Sequence, residues 1–140
     1  MSMILLPRLL KREKRSAVLN LSSKAAFFTR GFMPLYCTTK HYNLALSRCM
    51  QEAYSSDQLD VLTVTPASVK TQMNPGTMSY TVQAPEHARA VMDHLGWHDQ
   101  TWGSWWHAYQ MWIEETGPIS WIMSPYQRIA LKQIMAKRAQ

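Results

Sequence analysis

The chain has 140 residues, of which 46% are hydrophobic and 17% charged, so it is long enough for one globular domain with a core. No apolar run approaches the roughly 20 residues that a membrane-spanning helix needs. The net charge of +6 would suit nucleic acid, but the basic residues cluster at the two ends and no nucleic-acid motif is found, so we expect no nucleic-acid partner. Attraction to an anionic membrane surface or to an acidic cofactor explains this charge at least as well.

The first third of the chain predicts a helix, a strand and a second helix. Residues 1–16 combine leucines with basic residues, which fits either an Arg-rich mitochondrial transit peptide or an ordinary helix. Residues 17–22 carry an apolar run typical of a buried strand, and residues 35–54 have apolar side chains at helical spacing. Cys37 and Cys49 would lie about 18 Å apart on that second helix, too far for a disulfide, so we expect reduced thiols.

Tyr36 and Lys40 are four residues apart in the second predicted helix, which places both side chains on one face, one turn apart. A free tyrosine has a pKa of about 10 and is a poor acid or base at neutral pH. A neighbouring ammonium favours the phenolate and lowers such a pKa. With a serine hydroxyl from the adjoining strand bound to a substrate carbonyl, this pair suits ketone reduction or alcohol oxidation, with the hydride carried by a cofactor.

The sequence Asn20-Leu21-Ser22-Ser23, followed by Tyr36-x-x-x-Lys40, resembles the active site of the short-chain dehydrogenase/reductase superfamily. The family's serine precedes its tyrosine by thirteen positions, which selects Ser23 rather than Ser22. The branch it most resembles contains the very-long-chain 3-oxoacyl-CoA reductases and 17-beta-hydroxysteroid dehydrogenases. The resemblance implies Tyr36 as the catalytic acid/base. It implies Lys40 as the residue that lowers the tyrosine pKa and holds the nicotinamide ribose, and Ser23 as the residue that polarises the carbonyl.

A second segment extends the resemblance. Residues 61–65 are rich in β-branched side chains and predict another strand. Residues 66–71 then read Pro-Ala-Ser-Val-Lys-Thr, which resembles the Pro-Gly-x-Val-x-Thr stretch whose backbone meets the nicotinamide carboxamide in the family. The resemblance implies Pro66, Val69 and Thr71 as cofactor contacts, beside the tyrosine and the lysine. An alanine stands where the family usually has its glycine, and an ordinary strand-to-loop turn explains the same residues equally well.

The five glycines are too widely spaced to form the Gly-rich turn that holds a cofactor pyrophosphate at a helix N-terminus. The resemblance therefore implies that residues 1–140 form a single partial domain. It would be the C-terminal half of a Rossmann-type α/β fold, with a few parallel strands and flanking helices. Such a half would contact only the nicotinamide end of NADP(H). The resemblance also favours a helix over a transit peptide for residues 1–16.

The remainder of the chain predicts a loop over residues 72–83 and then a helix that opens at Ala84 and that Gly96 ends. His94 and His98 have the spacing of metal ligands, but no third ligand is evident, so we predict no metal site.

An aromatic segment follows, and residues 125–140 after it predict a short basic helix or tail. The aromatic side chains of the segment before that tail fit one helical face. Such a face is typical either of core or oligomer packing or of a surface that lies on a bilayer: Trp102, Trp105, Trp106, Tyr109 and Trp112.

Two functions remain open. The first is an NADP(H)-dependent reductase of a 3-oxoacyl-CoA, as in fatty acid elongation, or of a steroid-like ketone. The second is a truncated, non-catalytic interaction protein derived from such a reductase. The resemblance implies the cytoplasmic face of the endoplasmic reticulum membrane, with the mitochondrion as the alternative. It also implies a homo- or hetero-oligomer through residues 1–16 and 35–54.

Overall fold

The computed structural model describes residues 2–28, 33–75 and 81–116. The predicted basic helix or tail at residues 125–140 lies outside the described residues, as does part of the predicted loop at residues 72–83. The described elements alternate between helix and strand, in the order α1 (Ser2–Leu10), β1 (Ser16–Leu21), a 3₁₀ helix (Lys24–Ala26), α2 (Pro34–Tyr54), β2 (Leu59–Val64), β3 (Val69–Lys70), β4 (Val82–Gln83), α3 (Ala84–Asp93), β5 (Gln100–Thr101) and α4 (Trp105–Thr116).

The main sheet has three parallel strands in the order β1, β2, β5. β1 pairs with β2 along its whole length, from Ser16 opposite Leu59 to Leu21 opposite Val64. β5 pairs with the last two residues of β2. The strands predicted at residues 17–22 and 61–65 are thus confirmed to within two residues at each end, and the α/β class is confirmed by the parallel pairing.

A second, two-stranded parallel sheet joins β3 to β4. The amide of Val82 donates to the carbonyl of Ser68 at 3.1 Å and begins this pairing. The sheet connects the segment after β2 directly to the start of α3. The two ends of the predicted loop over residues 72–83 are therefore held together by backbone hydrogen bonds.

The core lies on both faces of β2, because side chains alternate along a strand. Leu59 and Val61 pack with Leu6 of α1 and Met50 of α2 in one buried cluster. Leu62 and Val64 form a second cluster with Val91 of α3. Helices therefore cover the sheet on both sides, which explains why five of the six β2 residues are buried.

The aromatic segment departs from its prediction in one respect. α4 begins at Trp105, so Trp102 lies in the preceding turn and not on the helix. Its ring packs against Phe27, with centroids 5.1 Å apart. Trp105 and Trp112 are exposed on α4. No helix of the described residues is long and apolar enough to cross a membrane.

Candidate active site

Two adjacent serines follow β1, and the fold gives them different surroundings. Ser22 is buried, and its hydroxyl donates to the carbonyl of Lys40 at 2.6 Å. Ser23 is half-buried, and its Oγ accepts from the amide of Ala25 at 3.2 Å, which caps the 3₁₀ helix. Across the described ranges the Ser23 hydroxyl has no acceptor for its own proton. Ser22 therefore anchors α2 to β1, and Ser23 is the serine with a proton to offer a ligand.

Tyr36 lies in the first turn of α2, and its side chain is 43% exposed. Lys40 follows one turn later, and its Nζ lies 5.7 Å from the centroid of the Tyr36 ring. The same Nζ donates to the carbonyl of Leu21, at the end of β1, at 3.3 Å. The ammonium thus contacts the tyrosine ring and the strand end together, and a cation over an aromatic face is stabilising by about 0.5–1 kcal/mol at an exposed site.

The segment of residues 66–71 lies beside the serines, because the carbonyl of Pro66 accepts from the amide of Lys24 at 3.0 Å. Val69 begins β3, and Thr71 is exposed. The carboxyl ends of β1 and β2 therefore meet, and this edge is where open α/β sheets bind their ligands. The fold brings Ser23 and Pro66 to adjacent loops, and it joins Lys40 to Tyr36 and to the end of β1.

The family model for the short chain dehydrogenases matches residues 1–80, more than half of the chain and a range that holds every predicted site residue. The chain belongs to the short-chain dehydrogenase family. The resemblance first seen in the serine, tyrosine and lysine pattern is thereby confirmed.

Curated relatives of this chain carry the same branch names. The very-long-chain 3-oxoacyl-CoA reductase of Anas platyrhynchos is 31% identical over 139 residues, 98% of this chain and 44% of that protein. A putative steroid dehydrogenase 1 of Caenorhabditis elegans is 30% identical over 71% of this chain and 32% of its own length. The 17-beta-hydroxysteroid dehydrogenase type 3 of Danio rerio is 31% identical over 88% and 40% respectively. The chain spans less than half the length of these relatives.

Asn74 organises the loop that follows β2, although its sequence context indicates no more than a turn. Its Nδ2 donates to the Ser68 hydroxyl and to the Val69 carbonyl, both at 3.0 Å. Its amide donates to Thr71 Oγ1 at 3.1 Å. An Asn-Pro pair predicts a turn, but only the folded loop places this amide between Ser68 and Thr71.

Two histidines near the loop are buried and were not predicted as part of the site. Burial, and then the neighbouring His107, lower the pKa of His87 below the ordinary histidine value of 6.5. Burial also lowers the pKa of His107, against the opposing effect of its hydrogen bonds to the carbonyls of Ser68 and Trp102. Lys24 lowers the pKa of His107 further, and Glu86 raises it. The pair is therefore favoured in its neutral form.

His94 and His98 do come together, with their Nδ1 atoms 3.3 Å apart. They follow α3 and precede β5, so they lie at the amino end of that strand and not at the edge that carries Ser23. Within the part of the chain that the structure describes, no group of three or more candidate metal ligands is present.

Proposed function

We propose that this chain supplies the catalytic half of an NADP(H)-dependent reductase that acts on the keto group of a 3-oxoacyl-CoA or of a steroid-like substrate. The observation that carries the proposal is the position of the Lys40 ammonium. It contacts the Tyr36 ring and the last carbonyl of β1, immediately before the two serines. The names of the relatives suggest the two substrate classes.

In the proposed reaction the nicotinamide, when bound, supplies the hydride. Tyr36 donates its hydroxyl proton to the substrate carbonyl oxygen, and Ser23 donates a hydrogen bond to the same oxygen. Lys40 stabilises the phenolate that forms on Tyr36 and holds the nicotinamide ribose. These three roles need no group beyond the loops that follow β1 and the first turns of α2.

The loop of residues 66–71 is the proposed contact for the nicotinamide. Pro66, Val69 and Thr71 would line it, since the loop follows β2 at the ligand-binding edge of the sheet and is held to the serine loop by the Lys24 amide. Its fixed backbone suits recognition of a flat amide-bearing ring. The 140 residues contain no Gly-rich pyrophosphate turn, so we assign residues 1–140 to a single partial domain that contacts only the nicotinamide end of the cofactor.

We place the protein on the cytoplasmic face of the endoplasmic reticulum membrane, with the mitochondrion as the alternative. The exposed rings of Trp105, Tyr109 and Trp112 support contact with a bilayer surface, where aromatic side chains are favoured, and the net charge of +6 favours anionic lipid. Fractionation of the tagged chain between microsomal and mitochondrial membranes tests this assignment.

A fusion enzyme tests the proposed activity. An N-terminal half taken from the Anas platyrhynchos reductase would be placed ahead of residue 1, and NADPH oxidation by a 3-oxoacyl-CoA would be followed. We expect turnover in the fusion and a loss of about 100-fold or more in Tyr36→Phe, because phenylalanine keeps the ring but has no transferable proton. The 140-residue chain alone serves as the negative control, and calorimetry should show no micromolar NADPH binding to it.

Tyr42→Phe is the matched control, since Tyr42 lies on the same helix and is 64% exposed. This substitution should leave turnover unchanged. Both variants should melt at the same temperature as the parent fusion. A folded Tyr36→Phe enzyme with the parent rate would end the catalytic assignment.

The second candidate function is a non-catalytic interaction protein, and the exposed β1 favours it. Leu19 and Leu21 of this strand are exposed, and among the described strands β1 pairs on one side only. Such an edge can accept a strand from another protein. A folded fusion that binds NADPH but oxidises none with either substrate class would favour this function over the reductase.

A further inference from the structure

His107 joins α4 to the proposed cofactor loop. It is fully buried, and its Nε2 lies 3.1 Å from the carbonyl oxygen of Ser68. Its Nδ1 lies 3.3 Å from the carbonyl oxygen of Trp102. Ser68 stands between Pro66 and Val69, two of the three residues proposed to line the nicotinamide. The imidazole therefore bridges the loop and the turn that precedes α4.

The Ser68 carbonyl accepts two hydrogen bonds. The second comes from the amide of Val82, also at 3.1 Å, which begins the pairing of β3 with β4. A carbonyl oxygen has two lone pairs, so both are used. The peptide between Ser68 and Val69 is thus fixed from two sides, by a side chain of α4 and by the backbone of β4.

α4 is also bonded to the serine loop. Lys24 Nζ lies 2.8 Å from Oε1 of Glu114 in a partly buried ion pair, and the Lys24 amide donates to the carbonyl of Pro66. One helix therefore contacts the residue after Ser23 through Glu114 and the cofactor loop through His107. Neither contact is a feature of the helix alone, because both partners come from distant parts of the chain.

We propose that His107 is a positioning residue, which holds residues 66–71 in the conformation that receives the nicotinamide by donating from Nε2 to the Ser68 carbonyl. A neutral imidazole carries one N–H and can donate to only one of the two carbonyls, and the shorter contact is the one to Ser68. The identity of the ligand rests on the proposed function. The hydrogen bond and its effect on the loop do not.

Hydrogen exchange on the 140-residue chain tests the proposal without any assay of activity. His107→Phe keeps a ring of similar size but removes the donor, whereas His107→Gln retains an amide donor without a titratable group. We expect protection of the Val82 amide and of residues 69–71 to fall about tenfold in His107→Phe and to be largely restored in His107→Gln. Protection in β1 and β2 should stay unchanged in both variants.

His94→Phe is the matched control, because His94 contacts His98 beyond α3 and has no bond to the loop. It should leave the protection of residues 69–71 unaltered. Equal loop protection in His107→Phe and the parent would overturn the proposal. So would a loss spread equally over β1, β2 and the loop, since that result assigns His107 to general core packing.

The fusion enzyme supplies the readout specific to the cofactor. There, His107→Phe should raise the KM for NADPH several-fold with a smaller effect on kcat, and His107→Gln should restore it. If every fusion is inactive while the exchange result holds, the reductase assignment fails and the positioning of the loop stands. If turnover is normal and the KM for NADPH is unmoved by His107→Phe, the positioning role is wrong.

Discussion

At the scale of single residues, burial separates side chains that are chemically alike. Ser22 and Ser23 differ by one position, yet one hydroxyl donates to the Lys40 carbonyl and the other accepts from the Ala25 amide. His107 has backbone carbonyl oxygens within hydrogen-bond distance of its ring nitrogens, and its neutral ring can donate to one of them. Neither ring nitrogen of His87 has a hydrogen-bond partner among the described residues. Residues of the same type in this chain thus differ in their hydrogen-bond partners, because their positions in the fold differ.

The buried histidines predict an acid-sensitive fold. Because the pKa values of His87 and His107 are lowered, the unfolded chain binds more protons than the folded chain below about pH 6.5. The contribution of these histidines to the free energy of unfolding should therefore be constant above pH 6.5. Below it, the free energy of unfolding should fall as the pH drops towards 5, by up to about 1.4 kcal/mol per pH unit for each histidine. Urea unfolding between pH 7.5 and 5 measures this slope.

Substitution of the two histidines should flatten that slope. The charged groups that shift the pKa of His107 are Lys24 from the 3₁₀ helix and Glu86 from α3, so the variants leave both in place. His87→Leu with His107→Gln should lose most of the decline, and His94→Gln should keep it. A decline of equal steepness in the double variant would show that other groups cause the acid sensitivity.

At the scale of secondary-structure elements, α2 contributes residues to both the candidate site and the core. Its first turns carry Tyr36 and Lys40, and its last turns pack Met50 into the cluster with Leu59 and Val61. Ser47 is fully buried between them, and its Oγ accepts from Asn20 of β1 at 2.7 Å. The helix that carries the tyrosine is therefore held at its far end by core packing, as well as near the site by the hydrogen bond from Ser22.

Met50→Ala should show how much the helix depends on this packing. Met50 is 1% exposed, so we expect the free energy of unfolding to fall by about 2–5 kcal/mol through lost burial and a residual cavity. Met73→Ala is the matched control, because Met73 is 95% exposed and should change stability by less than about 0.5 kcal/mol. Chemical denaturation of the two variants side by side decides the point, and equal stability would contradict this account of the core.

The sequence predicted the elements whose pattern is local. The β-branched run before Pro66 and the helical spacing of residues 35–54 each depend on neighbours in the chain, and both were confirmed. The prediction that Trp102 belongs to the helical face of the aromatic segment was wrong, because Trp102 precedes α4 and packs on Phe27. His107 and Asn74 were missed as partners of the loop, since their hydrogen bonds join residues that only the folded chain brings together.

At the scale of the whole molecule, the sheet has an unpaired edge among the described strands. β1 pairs with β2 alone among the described strands, and its residues Leu19 and Leu21 are exposed. An unpaired strand edge with apolar side chains favours association with another chain. We therefore propose that the 140-residue chain forms a homo-oligomer, or a hetero-oligomer with a longer relative, and β1 takes part beside residues 1–16 and 35–54.

Leu21→Lys should weaken this association. A lysine at an edge opposes strand pairing, and the loss of one buried leucine contact weakens binding by about tenfold or more. Met92→Lys on α3 is the control, since Met92 is similarly exposed but lies away from the sheet edge. Sedimentation velocity over a range of concentrations measures the change. A parent chain that is monomeric throughout would refute the proposed oligomer.

The His87 ring fills the space that a side chain at position 103 would need. Gly103 has a φ of +74, and a Cβ added there would lie 2.6 Å from Nδ1 of His87 and 3.0 Å from Cγ2 of Val91. A side chain at position 103 is therefore opposed twice, by the positive φ and by the His87 ring. A smaller residue at position 87 would remove the contact with the ring, but not the strain of the positive φ or the close contact with Val91. Glycine should therefore be retained at position 103 among homologues, whichever residue stands at position 87.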